Sequence, residues 1–152
     1  MSGETIEVLS ATPIALETAG LALANGSITM VSNVYDKMAT TANAGGNGYP
    51  DGQFIFEGTF NTAPVENSLL SLYVREYPAN GAARTDVPEA TRPGRPIGSF
   101  QVNDRTGLQT LVLMLEGLPP KGDYYIHNNG TGQAVASGWK LSVVPRTFRP
   151  AP

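Results

Sequence analysis

Side chains that could act as nucleophiles, bases or metal ligands are few in this chain of 152 residues. His127 is the only histidine, and it follows Tyr124, Tyr125 and Ile126 in a segment typical of a β-strand. The chain has no cysteine and no Gly-x-Ser-x-Gly segment, so the sequence shows no nucleophile that His127 could activate as a general base. We therefore interpret His127 as an ordinary strand or interface residue and predict that the protein is not an enzyme.

The thirteen acidic residues leave one other route to catalysis, because glycoside hydrolysis needs two carboxylates that face each other. Glu57, Glu76 and Glu116 lie in or beside predicted strands, where acidic side chains usually face solvent. The acids of segment 36–51 do not have the spacing of a calcium loop. The glycine-rich segment 45–48 lacks the Lys-Ser/Thr pair of a phosphate-binding loop. The sequence thus predicts no catalytic residue, no metal and no cofactor.

Composition is typical of an all-β protein with many turns, since the chain has seventeen glycines and twelve prolines. A net charge of −3 at pH 7 does not favour a nucleic-acid partner. No segment approaches the about 20 apolar residues of a transmembrane helix. The first residues, MSGETIEV, lack the basic and hydrophobic regions of a secretory signal. We expect one soluble domain over 1–152, made in the cytoplasm, with no membrane partner.

Alternating apolar residues predict about eight short strands separated by turns, the pattern of an antiparallel β-sandwich. Among the strands are 53–60, 68–77 and Trp139–Val143, in which the Trp139 side chain is predicted to lie in the core. The unbroken apolar run Val112–Leu115 predicts a strand buried on both faces. Asn25-Gly26 predicts a β-hairpin. We expect a jelly-roll-like sandwich with extended termini: an arm of about residues 1–12 and a Pro-rich tail at 146–152.

A series of turn motifs runs from Leu118 to Ala134: Leu-Pro-Pro-x-Gly-x-Tyr, an aromatic strand, and then Asn-Asn-x-Thr-Gly-Gln-Ala. This order resembles small virion structural proteins of tailed bacteriophages. Upstream, segments 49–54, 59–64, 72–74 and 97–102 fall in the matching order, so the resemblance covers roughly two-thirds of the chain. The matching motifs consist mostly of turn residues, which identify a scaffold better than a function. Gly130 is an insertion relative to that group. The matching residues are Leu118, Pro119, Pro120, Gly122, Tyr124, Asn128, Asn129, Thr131, Gly132, Gln133 and Ala134.

The resemblance implies a β-sandwich on the capsid surface of a virion, made in the host cytoplasm and acting as a decoration or cement protein. Its partner would be the major capsid protein. Because capsids offer threefold sites and closed cyclic assemblies are common, we expect a homo-oligomer, most simply a trimer. The alternative is a glycan- or host-surface-binding module on a tail or fibre, since β-sandwiches often bind sugars.

Candidate partner-binding residues are surface aromatics and the arginines of one long loop and of the tail. Segments 36–52 and 78–96 are expected to contact partners, because loops of that length are usually functional or disordered. The first seventeen residues contain acids and no base, while the tail contains arginines and no acid, so two readings are open: the ends bridge neighbouring subunits, or the termini are disordered. The candidates are Tyr49, Tyr77, Arg92, Arg95, Tyr125, Arg146, Phe148 and Arg149.

Overall fold

Alternating apolar side chains give strands that bury one face each. The strand Asp51–Phe60 shows this most clearly, because every second residue is buried and its three phenylalanines are completely so. The structure, a computed structural model, describes residues 6–37, 48–78, 87–94 and 96–150, and all regular elements within them are strands. The ten strands are β1 (Ile6–Ser10), β2 (Ile14–Gly20), β3 (Ile28–Met30), β4 (Tyr35–Asp36), β5 (Asp51–Phe60), β6 (Leu69–Glu76), β7 (Gly98–Gln101), β8 (Gly107–Leu115), β9 (Lys121–Asn129) and β10 (Trp139–Pro150).

The strands form two antiparallel sheets that pack face to face. The first sheet has the order β1-β10-β5-β8, with β2 also beside β10, and the second has the order β3-β9-β6-β7, with β4 also beside β9. Since β1 and β2 lie end to end along β10, and β3 and β4 along β9, the ten strands fill eight positions. The chain changes sheet after every position except between β6 and β7, which is the double Greek-key order of a jelly roll. The predicted jelly-roll-like sandwich is confirmed.

Trp139 lies in the core, as predicted, with 2% of its surface exposed. Its ring stacks on Phe56 with the centroids 5.7 Å apart, and its Nε1–H donates a hydrogen bond to the Leu21 carbonyl oxygen at 2.7 Å. The ring lies against the backbone of Gly20, where an added Cβ would come within 2.0 Å of Trp139 Cε2. Only glycine at this position leaves room for the indole, so the packing of the start of β10 against the end of β2 requires both Gly20 and Trp139.

The Asn25-Gly26 turn forms, with φ of +82° at Gly26, but the predicted hairpin is wrong. β2 belongs to the first sheet, whereas β3 pairs with β9 in the second. A turn motif determines the local backbone direction, but it does not specify which strands pair on either side. Here the chain crosses between sheets instead.

β8 corrects a second expectation, because the run Val112–Leu115 is not buried on both faces. β8 is an edge strand that pairs only with β5, and it exposes 60% of Val112 and 37% of Met114. Leu111, Leu113 and Leu115 face inward and pack against the core. A solvent-facing row of apolar residues therefore lies on the outer side of the first sheet.

The chain termini form a two-stranded ribbon. β10 continues without interruption to Pro150, and residues 146–150 pair antiparallel with β1. Glu7 stands opposite Arg149 in this register. The two ends of the chain therefore pair with each other within one chain, and the expectation that they bridge neighbouring subunits stays a prediction. Antiparallel pairing satisfies the backbone groups of each end that face the other strand.

Glu17 links the two sheets through its carboxylate. It lies in β2 and accepts hydrogen bonds from the Ser32 backbone N–H at 3.1 Å and the Ser32 hydroxyl at 2.5 Å. The backbone N–H groups of Thr18 and Ala19 donate to its other oxygen. Burial raises the pKa of Glu17, but the hydrogen bonds from Ser32, Ala19 and Thr18 outweigh it and hold the pKa below its ordinary value of 4.5.

This carboxylate gives a pH-dependent prediction. A carboxyl group whose pKa is lower in the folded state stabilises the fold above its unfolded pKa and loses that contribution as the pH falls. We expect Glu17→Gln to cost about 1–2 kcal/mol near neutral pH, with the difference from wild type shrinking below pH 4.5. Urea unfolding over a pH series measures this, with the exposed Glu66→Gln as control. A difference that does not change with pH would contradict the role of the charge.

Candidate functional site

His127 lies on the outer face of the second sheet, but only 5% of it is exposed. Its Nε2 is 3.3 Å from the Gly26 carbonyl oxygen, and its ring packs near Tyr73 with centroids 6.1 Å apart. Ser71 is its cross-strand neighbour, and the Ser71 hydroxyl contacts the Ser99 hydroxyl at 3.4 Å. His127 is therefore packed against neighbouring strands instead of facing a cleft. Within the described residues, no cluster of three or more His, Asp or Glu side chains could hold a metal.

The same face carries a charged cluster formed by Arg75, Tyr77 and Asp123. Arg75 and Asp123 are register partners on β6 and β9, and the Arg75 Nε–H donates to Asp123 Oδ2 at 3.1 Å, beside a second bond from Nη2. The Tyr77 hydroxyl donates to Asp123 Oδ1 at 3.2 Å. The hydrogen bond with Asp123 raises the pKa of Arg75 above its ordinary value. Because Asp123 is only 3% exposed, the cluster neutralises a buried charge and offers no free reactive group.

A cavity of about 600 Å³ lies next to this cluster, where the end of β6 approaches the turn that follows β8. Its apolar wall includes Val74, Ile97 and Leu115, which pack partly against the core. Arg92 and four prolines complete the rim. The lining therefore mixes apolar side chains with the charged residues Arg75, Glu76 and Arg92. The prolines are Pro88, Pro93, Pro96 and Pro119.

The Asn-Asn-Gly-Thr-Gly-Gln segment, which forms the end of β9 and the turn after it, is structural. Asn128 Nδ2 donates to the carbonyl oxygens of Leu23 at 3.1 Å and Gln133 at 2.8 Å. The Thr131 hydroxyl lies 2.5 Å from Asn128 Oδ1 and 2.8 Å from the Gln133 carbonyl oxygen. Gly130 has φ of +95°, which favours glycine there. Asn128 and Thr131 are completely buried, so their side chains hold the loop together.

The predicted tyrosines occupy different environments. The expectation that Tyr125 faces solvent is wrong, because it is 4% exposed in the central strand β9, flanked by Tyr73 on β6 and Met30 on β3. Tyr77 is half-buried, with Lys121 Nζ 5.2 Å from its ring centroid. Tyr49 is half-buried just before β5, far along the chain from the other two. The tyrosines therefore do not form one exposed aromatic platform.

The structure groups three of the predicted residues on the terminal ribbon. Arg146 is half-buried, its Nε having no hydrogen-bond partner among the described residues, and Arg149 is exposed opposite Glu7. Phe148 is 46% exposed and stands opposite Val8, which is 42% exposed. The ribbon thus combines an exposed apolar pair with two arginines.

The remaining predicted residues lie in the second long loop. Arg92 is exposed, lines the cavity and approaches Glu89 at 3.7 Å. Arg95 lies outside the described residues, as do 38–47 and 79–86, which make up half of the two loops predicted to contact partners. The structure therefore brings Arg92 close to the Arg75 cluster but not to the ribbon residues.

Sequence reasoning missed the apolar outer row of β8. Leu108, Val112 and Met114 are 68%, 60% and 37% exposed, and Ile55 of β5 lies directly opposite Val112. An unbroken apolar run looks the same whether its strand is central or at an edge, because edge position depends on distant strands. The useful signal was the absence of any charge or proline along β8.

Comparison of the sequence with protein-family models and with curated proteins finds no match. Among the residues that the structure describes, no helix has the length and apolar character needed to cross a membrane. Any functional conclusion therefore depends on the surfaces described above: the terminal ribbon, the cavity and the outer row of β8.

Proposed function

We propose that the protein is a virion structural component that binds the outer surface of a shell built from the major capsid protein. The terminal ribbon carries this proposal. Beyond Arg146, β1 is the only strand partner of β10 among the described residues, because β5 begins at Asp51 opposite Arg146. Isolated two-stranded ribbons are marginally stable in water. A surface that covers Val8 and Phe148 would bury apolar area and stabilise the ribbon at the same time.

Stabilisation of the shell would follow from mass action. A protein that binds the assembled shell and not the free subunits stabilises the assembled state by its binding free energy. No bond-making step is involved. A jelly roll is frequent among capsid and lectin domains, so the fold is compatible with this role and does not by itself prove it. The trimer expected from threefold sites stays a prediction.

The glycan-binding alternative receives less support from the described surfaces. Sugar recognition would need exposed aromatic rings beside polar groups, yet Tyr73 and Tyr125 on the outer face of the second sheet are each 4% exposed. The Tyr77 hydroxyl is already bonded to Asp123. The exposed aromatic ring on the ribbon, Phe148, lies beside apolar Val8. This arrangement favours a protein partner.

Phe148→Asp tests the proposal. We expect the variant to fold normally, because the side chain is 46% exposed, but to occupy fewer sites on shells, because a carboxylate would be desolvated in the contact. Occupancy is measured by co-sedimentation with purified shells, and shell stability by thermal melting. Leu21→Asp is the control, since Leu21 is 85% exposed and far from the ribbon. Equal occupancy of both variants and wild type would contradict the ribbon's role.

A further inference from the structure

The four sheet edges differ in how well they are protected against pairing with another chain. Short length, breaks, bulges and charges are the usual protective features. β7 has only 4 residues, and the opposite edge of its sheet consists of β3 with 3 residues and β4 with 2. The β1/β2 edge is interrupted between Ser10 and Ile14, and β2 pairs with β10 through register shifts. Three edges are therefore protected.

The fourth edge, β8, has none of these features. It has 9 residues with neither a charge nor a proline, and its register with β5 is continuous from Gly107 to Leu115. No strand among the described residues pairs with its other side. Leu108 and Val112 on its outward face are the most exposed apolar residues of any strand. A long, regular and apolar edge is a template on which another strand can pair.

We propose that the occupant of this edge is β8 of a second copy, paired antiparallel about a twofold axis at Leu111. In this register Leu108 of each copy lies opposite Met114 of the other, and Thr110 lies opposite Val112. Side chains that face outward in one copy then meet outward-facing side chains of the other, as the pleat requires. The apolar rows of both copies join into one, and the two first sheets become continuous. Twofold contacts of this kind are the commonest among homo-oligomers.

The charges that flank β8 favour the same arrangement. Arg105 precedes the strand and Glu116 follows it, both are exposed, and neither makes an ion pair in the described part of the chain. The antiparallel arrangement places the end of β8 next to Glu116 in one copy beside the end next to Arg105 in the other. Asp104 precedes Arg105 and is therefore one residue further from the start of β8. A parallel register would instead bring like charges together, which is unfavourable. The contact does not depend on the proposed binding to a shell.

Val112→Lys tests the contact, because a lysine on an edge strand opposes pairing. The matched control is Val65→Lys, since Val65 is also a valine with 60% exposure but lies in a turn. Sedimentation velocity over a wide concentration range should show a wild-type dimer in equilibrium with monomer. We expect Val112→Lys to raise the dissociation constant about a hundredfold or more, because two lysines would meet at one interface, while Val65→Lys leaves it unchanged.

A charge exchange provides a second test. Arg105→Glu should weaken the dimer by about tenfold, and adding Glu116→Arg should restore it, because each dimer contains two such pairs. A wild-type protein that stays monomeric at every concentration would overturn the proposal. So would a trimer, the symmetry favoured by shell geometry alone, or equal effects of Val112→Lys and Val65→Lys. Binding to shells is measured separately, so failure of this contact is distinguishable from failure of the shell-binding role.

Discussion

Trp139→Ala is expected to lower the free energy of unfolding by about 3–5 kcal/mol, because it removes the largest completely enclosed side chain and leaves a cavity. The variant also leaves the Leu21 carbonyl oxygen without its donor. Urea unfolding followed by circular dichroism measures the change. Trp139→Phe should lose less, because a phenyl ring can still stack on Phe56. An unchanged unfolding midpoint for Trp139→Ala would contradict the placement of β10 in the core.

The contact between Gly20 and Trp139 allows a sharper test through a double-mutant cycle. Gly20→Ala alone should be strongly destabilising, since its Cβ would lie 2.0 Å from the indole. In the Trp139→Ala background the same methyl group should cost much less, because the indole is gone. Additive effects of the two substitutions would show that the two residues do not touch.

Arg75→Ala is expected to cost about 3 kcal/mol, because it leaves the buried Asp123 carboxylate without its charge partner. Arg92→Ala is a matched control. Arg92 also approaches an acid, Glu89 at 3.7 Å, but its side chain is 81% exposed. Its removal should cost about 0–1 kcal/mol. Chemical denaturation of the two variants measures the difference.

Removing one partner of a buried ion pair leaves an unpaired charge, whereas removing both partners does not, and this difference gives a second test. Replacing both Arg75 and Asp123 with leucine removes the unpaired charge, and such double replacements are often neutral or stabilising. We therefore expect the double variant to be more stable than Arg75→Ala. If both variants lose the same stability, the cost comes from lost packing and not from the stranded carboxylate.

Local pattern was sufficient to predict the strands whose faces differ in polarity. The alternation around Phe54 and Phe56 identified β5, and Trp139 was correctly placed inside. Strand pairing was harder to predict, because it depends on residues distant in sequence. The Asn25-Gly26 turn formed, but the strands on either side of it do not pair as a hairpin. The apolar residues on the outer face of β8 are exposed in a strand at the edge of its sheet.

The candidate site was predicted less well than the fold. Tyr125 was expected at the surface, yet a central strand with large neighbours on both sides buries its outer face as well. The ribbon residues Phe148 and Arg149 were identified from composition alone. Their pairing with β1 could not be predicted, because the two ends of the chain are the segments furthest apart in sequence.

The proposed shell-binding role is tested most directly by cryo-electron microscopy of virions produced with and without this protein. The proposal predicts jelly-roll density on the outer surface of the shell, with the ribbon formed by 6–10 and 146–150 in contact with the major capsid protein. Virions lacking the protein should lose this density and melt at a lower temperature. Density confined to a tail or fibre, or a shell contact that leaves Val8 and Phe148 in solvent, would contradict it.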